Sequence, residues 1–254
     1  HNPETQSKST RIFFYPDKCL ECGACSICPA KAHLLDERHV FVRELCMHCG
    51  RCAEICPTGA LEADSKIMTT EQILDEVMKD KAFFGEKGGI TVSGGEPMFY
   101  PEACIDLLKN AKLAGLTTAV ETCGYFDSSY IPELAEYTDT FLWDYKDSEE
   151  ERHRRNTGVS QTLIMDNLRK TDLLCRNLVL RCIIIKGVNL TEEHIQNIMK
   201  LRDSLQSCGK VDIIPYHPMG STKYKLLGIE NTFDSEAHIP ETSDIGRLRE
   251  LFEK

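Results

Sequence analysis

LVLRCIIIKGV, residues 178–188, is an aliphatic run broken once, by Arg181, before Lys186 and Gly187 close it. A short, nearly continuous apolar run of this kind is the pattern of a parallel strand buried on both faces, not of an edge strand alternating in and out. The same texture recurs on either side. GGITVSGGEP (88–97), LTTAVETCGY (116–125), DTFLWDYKD (139–147) and VDIIPYHPMG (211–220) each read as a strand closed by polar or turn residues. Helical stretches lie between them. TTEQILDEVMKD (69–80) opens on a Thr69-x-x-Gln72 capping box, and PEACIDLLKNAKLAG (101–115) starts at Pro101 and stops at Gly115. SSYIPELAEYT (128–138) reads as a short helix, a long helical stretch covers roughly 148–175, and TEEHIQNIMKLRDSL (191–205) is a further helix. Five strands alternating with helices predict a parallel sheet, either doubly wound or an open barrel. Ligands of such sheets bind at the carboxyl ends of the strands, so the polar residues closing each strand are the candidates for function.

Texture divides the 254 residues into three segments. Residues 1–10 are polar and aperiodic, a remnant segment. Residues 11–66 are rich in cysteine and too poor in long apolar runs to build a core without metal or cross-links. Residues 67–254 carry the helix–strand alternation. A formal net charge of −10 argues against a nucleic-acid backbone binder. The apolar runs are too short, and too interrupted by charge, to span a bilayer.

Eight of the 13 cysteines fall between Cys19 and Cys56. CMHCGRCAEICP places Cys46, Cys49, Cys52 and Cys56 in C-x2-C-x2-C-x3-C-P, the bacterial ferredoxin run, in which three thiolates wrap one cubane cluster and the fourth reaches the other of a pair. CLECGACSICP repeats the pattern at Cys19, Cys22, Cys25 and Cys28, but its last gap is x2. Cross-ligation assigns Cys19, Cys22, Cys25 and Cys56 to one [4Fe–4S] cluster, and Cys46, Cys49, Cys52 and Cys28 to the second. Two zinc sites are the competing occupants, though zinc favours separated C-x2-C pairs. Cys104, Cys123, Cys175, Cys182 and Cys208 are scattered and read as small buried apolar residues.

TVSGGEP (91–97) together with this block resembles the radical S-adenosylmethionine enzymes, and more narrowly the activating enzymes of glycyl-radical enzymes, the pyruvate formate-lyase activase family, in the subgroup with a two-cluster ferredoxin insert. The resemblance covers nearly the whole chain. It implies a partial (β/α)6-type barrel, lacking its first strand here, with a small inserted α+β ferredoxin-like domain at 11–66. In that family C-x3-C-x2-C immediately precedes H-N-P-E; the sequence here opens HNPE, so the expectation is that it starts just after the motif holding a third, catalytic [4Fe–4S] cluster.

The resemblance further implies that Gly94, Gly95 and Glu96 hold the amino end of S-adenosylmethionine. Asp144, Tyr145 and Lys146 match a D-x-K that contacts the cofactor, and Arg181 an arginine approaching its carboxylate. His217 and His1 match residues near its ribose and adenine. Glu121 and Thr122, with Asp144, stand near a monovalent cation site, and HRRNTGV (153–159) matches a loop before the fourth helix. The implied function is activation of a glycyl-radical enzyme in the cytoplasm by reductive cleavage of the cofactor, fed by a flavodoxin or ferredoxin-type donor, with no nucleic-acid or membrane partner. A non-catalytic iron–sulfur electron carrier or scaffold is the alternative. Gly94, Gly95, Glu96, Asp144, Lys146, Arg181 and His217 are expected to converge in one cavity at the carboxyl edge of the sheet.

Overall fold

The computed structural model describes residues 3–6 (at 5 and 6 the backbone only), 9–85, 88–231, 233 and 236–252. His1 therefore lies outside the described residues. The chain forms two compact units, one of His1–Ile67 with Pro218–Asp234, the other of Met68–His217 with Ser235–Lys254.

In the first unit β1 (Ile12–Phe14) precedes a hairpin of β2 (His33–Leu35) and β3 (His39–Phe41), then α1 (Arg51–Ile55) and β4 (Leu61–Ala63), which pairs antiparallel with β1. The core is very small. Its buried members are Ile12, Cys25, Cys52 and Leu61, so half of them are thiols. So little apolar area falls short of the chain entropy of some 60 residues. Texture alone placed 218–234 with the second unit. The structure groups it with the first, because the Arg43 guanidinium donates to the carbonyls of Ile12 (2.9 Å) and Leu226 (2.5 Å).

The second unit opens with α2 (Thr70–Met78), whose Thr69–Gln72 capping box forms as the spacing predicts. Then come β5 (Gly89–Val92), α3 (Pro101–Leu113), β6 (Thr117–Thr122), α4 (Ile131–Glu136) and β7 (Thr140–Tyr145). α5 (Glu150–Thr157), α6 (Thr162–Asp172), β8 (Leu178–Ile184), α7 (Glu192–Ser204) and β9 (Cys208–Pro215) follow. After α8 (Ser221–Leu227), which belongs to the first unit, α9 (Thr242–Phe252) packs on β9. The five strands β5 to β9 are all parallel and lie in chain order. Right-handed crossovers between consecutive neighbours put the connecting helices on one face, whereas a doubly wound sheet carries them on both.

That topology corrects the reading of residues 178–188. Leu180, Cys182 and Ile184 are buried against the helices, together with Val120, Phe141 and Trp143 from neighbouring strands. Arg181 and Ile183 alternate to the other face and are only half-buried, while Val179 on that same face is buried. The helical stretch at 148–175 is also two helices. Gly158, at φ +84°, caps α5 and its amide donates to the Arg154 carbonyl, so the backbone leaves the helix there. Residues 153–157, expected as a loop, are the last turn and a half of α5.

Gly124 stands at φ +78°, and a Cβ there would lie 2.2 Å from Cζ2 of the fully buried Trp143. Gly124→Ala is expected to cost about 2–4 kcal/mol, overpacking plus left-handed strain. Trp143 is the only tryptophan, so its fluorescence in urea reads this unit directly, as a lowered midpoint at unchanged slope.

His194 on α7 is fully buried, stacks on Tyr145 and has Nδ1 2.9 Å from Ser148 Oγ. Burial pushes it down to about 4, against the pull of Asp147. The unfolded state therefore binds the proton first. Stability is full above about pH 6.5 and should fall as pH drops toward 4, by up to about 1.4 kcal/mol per pH unit. Urea midpoints at pH 7 and pH 5 should converge in His194→Gln relative to the parent chain.

Candidate functional site

Four neighbouring strands place charge on the helix-free face. Asp144 on β7 registers with Arg181 on β8, which registers with Asp212 on β9. Glu121 of β6 points to the same face, one residue out of phase with buried Thr122. The Arg181 guanidinium pairs with Glu121 and lies 3.7 Å from Asp144; Lys146 Nζ lies 3.1 Å from Asp144 Oδ2. The result is one network of two carboxylates and two cations, each side chain 35% exposed or less. The plain Asp144–Lys146 ion pair that two residues on one strand face would make is thus present, as part of a larger set.

Gly94, Gly95 and Glu96 follow β5 at the same carboxyl edge. Gly94 sits at φ +135° with nothing within 4 Å of a Cβ position, so backbone geometry alone demands glycine there. The Glu96 carboxylate accepts from the Met98 amide (3.1 Å), the Thr122 hydroxyl (2.7 Å) and the Cys123 amide (2.8 Å), which ties the turn to the end of β6. His217 lies exposed two residues beyond β9, again at the carboxyl edge. Gly94, Gly95, Glu96, Lys146 and His217 thus lie just past the carboxyl ends of their strands, and Asp144 and Arg181 on the face turned from the connecting helices.

Two residues do not join them. Tyr145 is buried on the helix side, its phenol pushed up by that burial. Thr122 turns its hydroxyl to Glu96 and to the Gly124 amide (3.0 Å), so it does not share the face of Glu121 and Asp144. Both follow from strand alternation, which puts i and i+1 on opposite faces.

Sequence reading missed Asn189. It is 1% exposed. Its amide donates to the carbonyls of Lys146 (2.9 Å) and Ile183 (2.8 Å), and its oxygen accepts from the Ile185 amide (2.8 Å). It clamps the ends of β7 and β8 together and so positions Lys146. Asp147 holds the same loop through a bidentate pair with Arg152, both contacts 2.6 Å.

In the first unit the two cysteine runs fold alike. Glu21 and His48 both take positive φ, 53° and 59°, as do Gly23 and Gly50 at 76° and 74°. In each run the amide two residues on donates to a cysteine sulfur, Glu21 to Cys19 and His48 to Cys46, both 3.4 Å. Such left-handed turns aim backbone donors inward at an anionic centre. Cys19, Cys22, Cys25 and Cys56 line one cavity with His39. Burial pushes the Cys25 thiol up, and the charges of Cys19, Cys22 and Cys56 push it further. Burial pushes Cys52 up to about 11, with Cys46 and Cys28 adding to it. Four thiols gathered in a confined space, with Cys25 raised by the charges of the other three, fit a polynuclear cation, which relieves the repulsion. No disulfide links any of the thirteen cysteines. Among the scattered five, burial pushes Cys104 and Cys123 up to about 12, which leaves them unreactive.

Residues 23–202 match the sequence model of the radical SAM superfamily. Over 262 residues the chain is 33% identical to the choline trimethylamine-lyase activating enzyme of Oleidesulfovibrio alaskensis, covering 100% of this chain and 84% of that protein. It is 36% identical to the isethionate sulfite-lyase activating enzyme of the same organism, over 89% of this chain and 76% of that one. A solved domain of a pyruvate-formate lyase-activating enzyme from Bacteroides vulgatus shares the fold, with a TM-score of 0.53 at 23% identity over 65% of this chain and 92% of that domain. No helix among the described residues is long and apolar enough to cross a membrane.

Proposed function

Because this chain belongs to the radical S-adenosylmethionine superfamily, among the activating enzymes of glycyl-radical enzymes, we propose the following division of labour among its residues. The protein installs the radical on a glycyl-radical enzyme. S-adenosylmethionine with a reduced [4Fe–4S] cluster supplies reductive carbon–sulfur cleavage and hydrogen-atom abstraction from the partner's glycine. The chain's own residues bind and orient.

The observation that carries this reading is the paired network of Glu121, Arg181, Asp144 and Lys146 on the open face of the sheet. Arg181 offers a planar fork suited to the carboxylate of the cofactor, and its acidic neighbours hold that fork in place. The Gly94–Gly95–Glu96 turn holds the amino end, its carboxylate already aimed by three internal donors. His217 serves the ribose and adenine, and His1 the adenine. In the first unit, Cys19, Cys22, Cys25 and Cys56 hold one [4Fe–4S] cluster and Cys46, Cys49, Cys52 and Cys28 the other, passing electrons from a flavodoxin or ferredoxin-type donor in the cytoplasm. The catalytic cluster sits on the C-x3-C-x2-C that the family carries immediately before its H-N-P-E.

The test is made anaerobically with dithionite, on this chain joined to the C-x3-C-x2-C segment of a relative. 5′-Deoxyadenosine is expected from it and not from a form with that segment's three cysteines replaced by alanine. A glycyl radical seen by electron paramagnetic resonance on adding candidate partners, beginning with choline trimethylamine-lyase and isethionate sulfite-lyase, would identify the protein substrate. Full cluster loading with no 5′-deoxyadenosine from either form would favour an electron carrier instead.

A further inference from the structure

β2 and β3 form a short hairpin whose register pairs Leu35 with His39 and His33 with Phe41. Both histidines face inward and are buried. His33 stacks on Phe41 with ring centres 4.8 Å apart, and His39 leans on Phe14 at 4.6 Å. Their ring nitrogens meet, with His33 Nδ1 lying 2.9 Å from His39 Nε2. The other nitrogen of His39, Nδ1, lies 3.2 Å from the sulfur of Cys19, and His39 lines the cavity shared by Cys19, Cys22, Cys25 and Cys56.

Hydrogen-bond accounting favours one placement of the protons, the contact at Cys19 (3.2 Å) being shorter than the one between His39 Nε2 and Cys25 Sγ (3.8 Å). A metal-bound thiolate carries none, so it can only accept. His39 must then donate from Nδ1, and a neutral ring leaves its Nε2 as an acceptor. His33 fills that role by donating from Nδ1. Its own Nε2 is then bare, in agreement with its being buried without a hydrogen-bond partner. The chain runs in one direction, His33 to His39 to Cys19. The second cysteine group has the matching backbone amide, His48 to Cys46, but the His48 ring turns elsewhere, its Nδ1 lying 2.9 Å from the Thr10 carbonyl.

We propose that His39, held in one tautomer by His33, is a positioning residue for the iron–sulfur cluster of Cys19, Cys22, Cys25 and Cys56, and that its donation to the Cys19 sulfur holds that cluster's reduction potential above the value it would otherwise have. Reduction adds charge to the cluster sulfurs, and a donor aimed at them favours the reduced form. The inference rests on the two-cluster reading of the first unit.

The experiment compares the reconstituted chain with His39→Phe and His33→Phe, by iron content and by redox titration followed with electron paramagnetic resonance. The cluster in question is read alone in a Cys46→Ser background, and the second alone in a Cys19→Ser background. His39→Phe is expected to shift its reduction equilibrium about tenfold toward the oxidised form, 59 mV for one electron, and to remove a proton coupling that exchanges in heavy water. The second cluster should not move. His33→Phe keeps the stack on Phe41 but frees the tautomer, and should give a smaller shift of the same sign. If His39→Phe fails to load iron, the His33→Phe shift carries the test. Loaded variants with unchanged potentials, or equal shifts in both clusters, overturn the role of His39 alone. A parent chain that takes zinc and no iron, using Cys25, His33 and His39, whose ligand atoms lie within 4.8 Å of one another, overturns the cluster reading and this inference with it.

Discussion

Cys56→Ser is expected to release about half of the iron of the first unit, roughly four of eight atoms per chain, and to release it from the group that begins at Cys19. Cys56 lies far along the chain from that group and follows Cys46, Cys49 and Cys52 directly, so proximity in sequence assigns it to the wrong partners. The fold assigns it differently. Its sulfur shares a cavity with Cys19, Cys22 and Cys25. It is also prepared for metal. Burial works against its charged form, yet the amides around Thr58, Ala60 and Leu61 bring the thiol below its ordinary range. Cys28 crosses the other way, close enough to Cys52 to raise it. Double variants make the test sharp. If Cys19 and Cys56 serve one cluster, Cys19→Ser with Cys56→Ser loses no more iron than either alone, whereas Cys46→Ser with Cys56→Ser loses nearly all of it. Groups that act as a unit are non-additive, and independent ones add. Because metal bonding supplies most of the stability of so small a core, each single variant should also open the first unit to protease while Trp143 fluorescence stays native. Additive loss in the Cys19 pair would return Cys56 to the Cys46 group.

Much of this arrangement is legible in the sequence, and the missing part has a common cause. Apolar runs separated by helical periods specify five parallel strands, and polar closures mark their carboxyl ends. Local pattern also specifies the Thr69 cap. What it does not carry is which face a helix covers. LVLRCIIIKGV reads as buried on both sides because Ile183 is as apolar as Ile184; only the consecutive strand order, a tertiary fact, leaves Arg181 and Ile183 uncovered. The orientations of Tyr145 and Thr122 were available from strand alternation once Asp144 and Glu121 were placed on the site face. Asn189 carries no signal. A loop asparagine becomes a clamp only when β7 and β8 end side by side. His33 and His39 are likewise unremarkable six residues apart, until a hairpin brings their rings together. The grouping of 218–234 with the first unit depends on Arg43 reaching Leu226 across 183 residues of sequence.

Arg181→Leu is expected to weaken S-adenosylmethionine binding about 100-fold, and Arg181→Lys about tenfold, with the fold intact in both. The site face is balanced as it stands. Glu121 and Asp144 contribute two negative charges, Arg181 and Lys146 two positive. Removing the guanidinium leaves two half-buried carboxylates with one lysine, which pairs with Asp144. Asp212, the other register neighbour, is already paired with Lys210 at 2.5 Å. A ligand carboxylate entering there would meet net negative charge where it now meets a fork held from two sides, and truncating one member of such a set costs more than the contact itself. Lysine restores the charge but not the planar donors, so it recovers only part of the loss. Folding is separable from binding here, because Arg181 lies on the face opposite the core that Leu180, Cys182 and Ile184 build. Equilibrium dialysis gives the affinity, and Trp143 fluorescence in urea gives the stability of the same unit. Glu121→Gln provides the converse. It loosens the fork without removing it, so affinity should fall by less than in Arg181→Lys. Unchanged affinity in Arg181→Leu, with a native urea midpoint, would move the carboxylate of the cofactor to another residue of this edge.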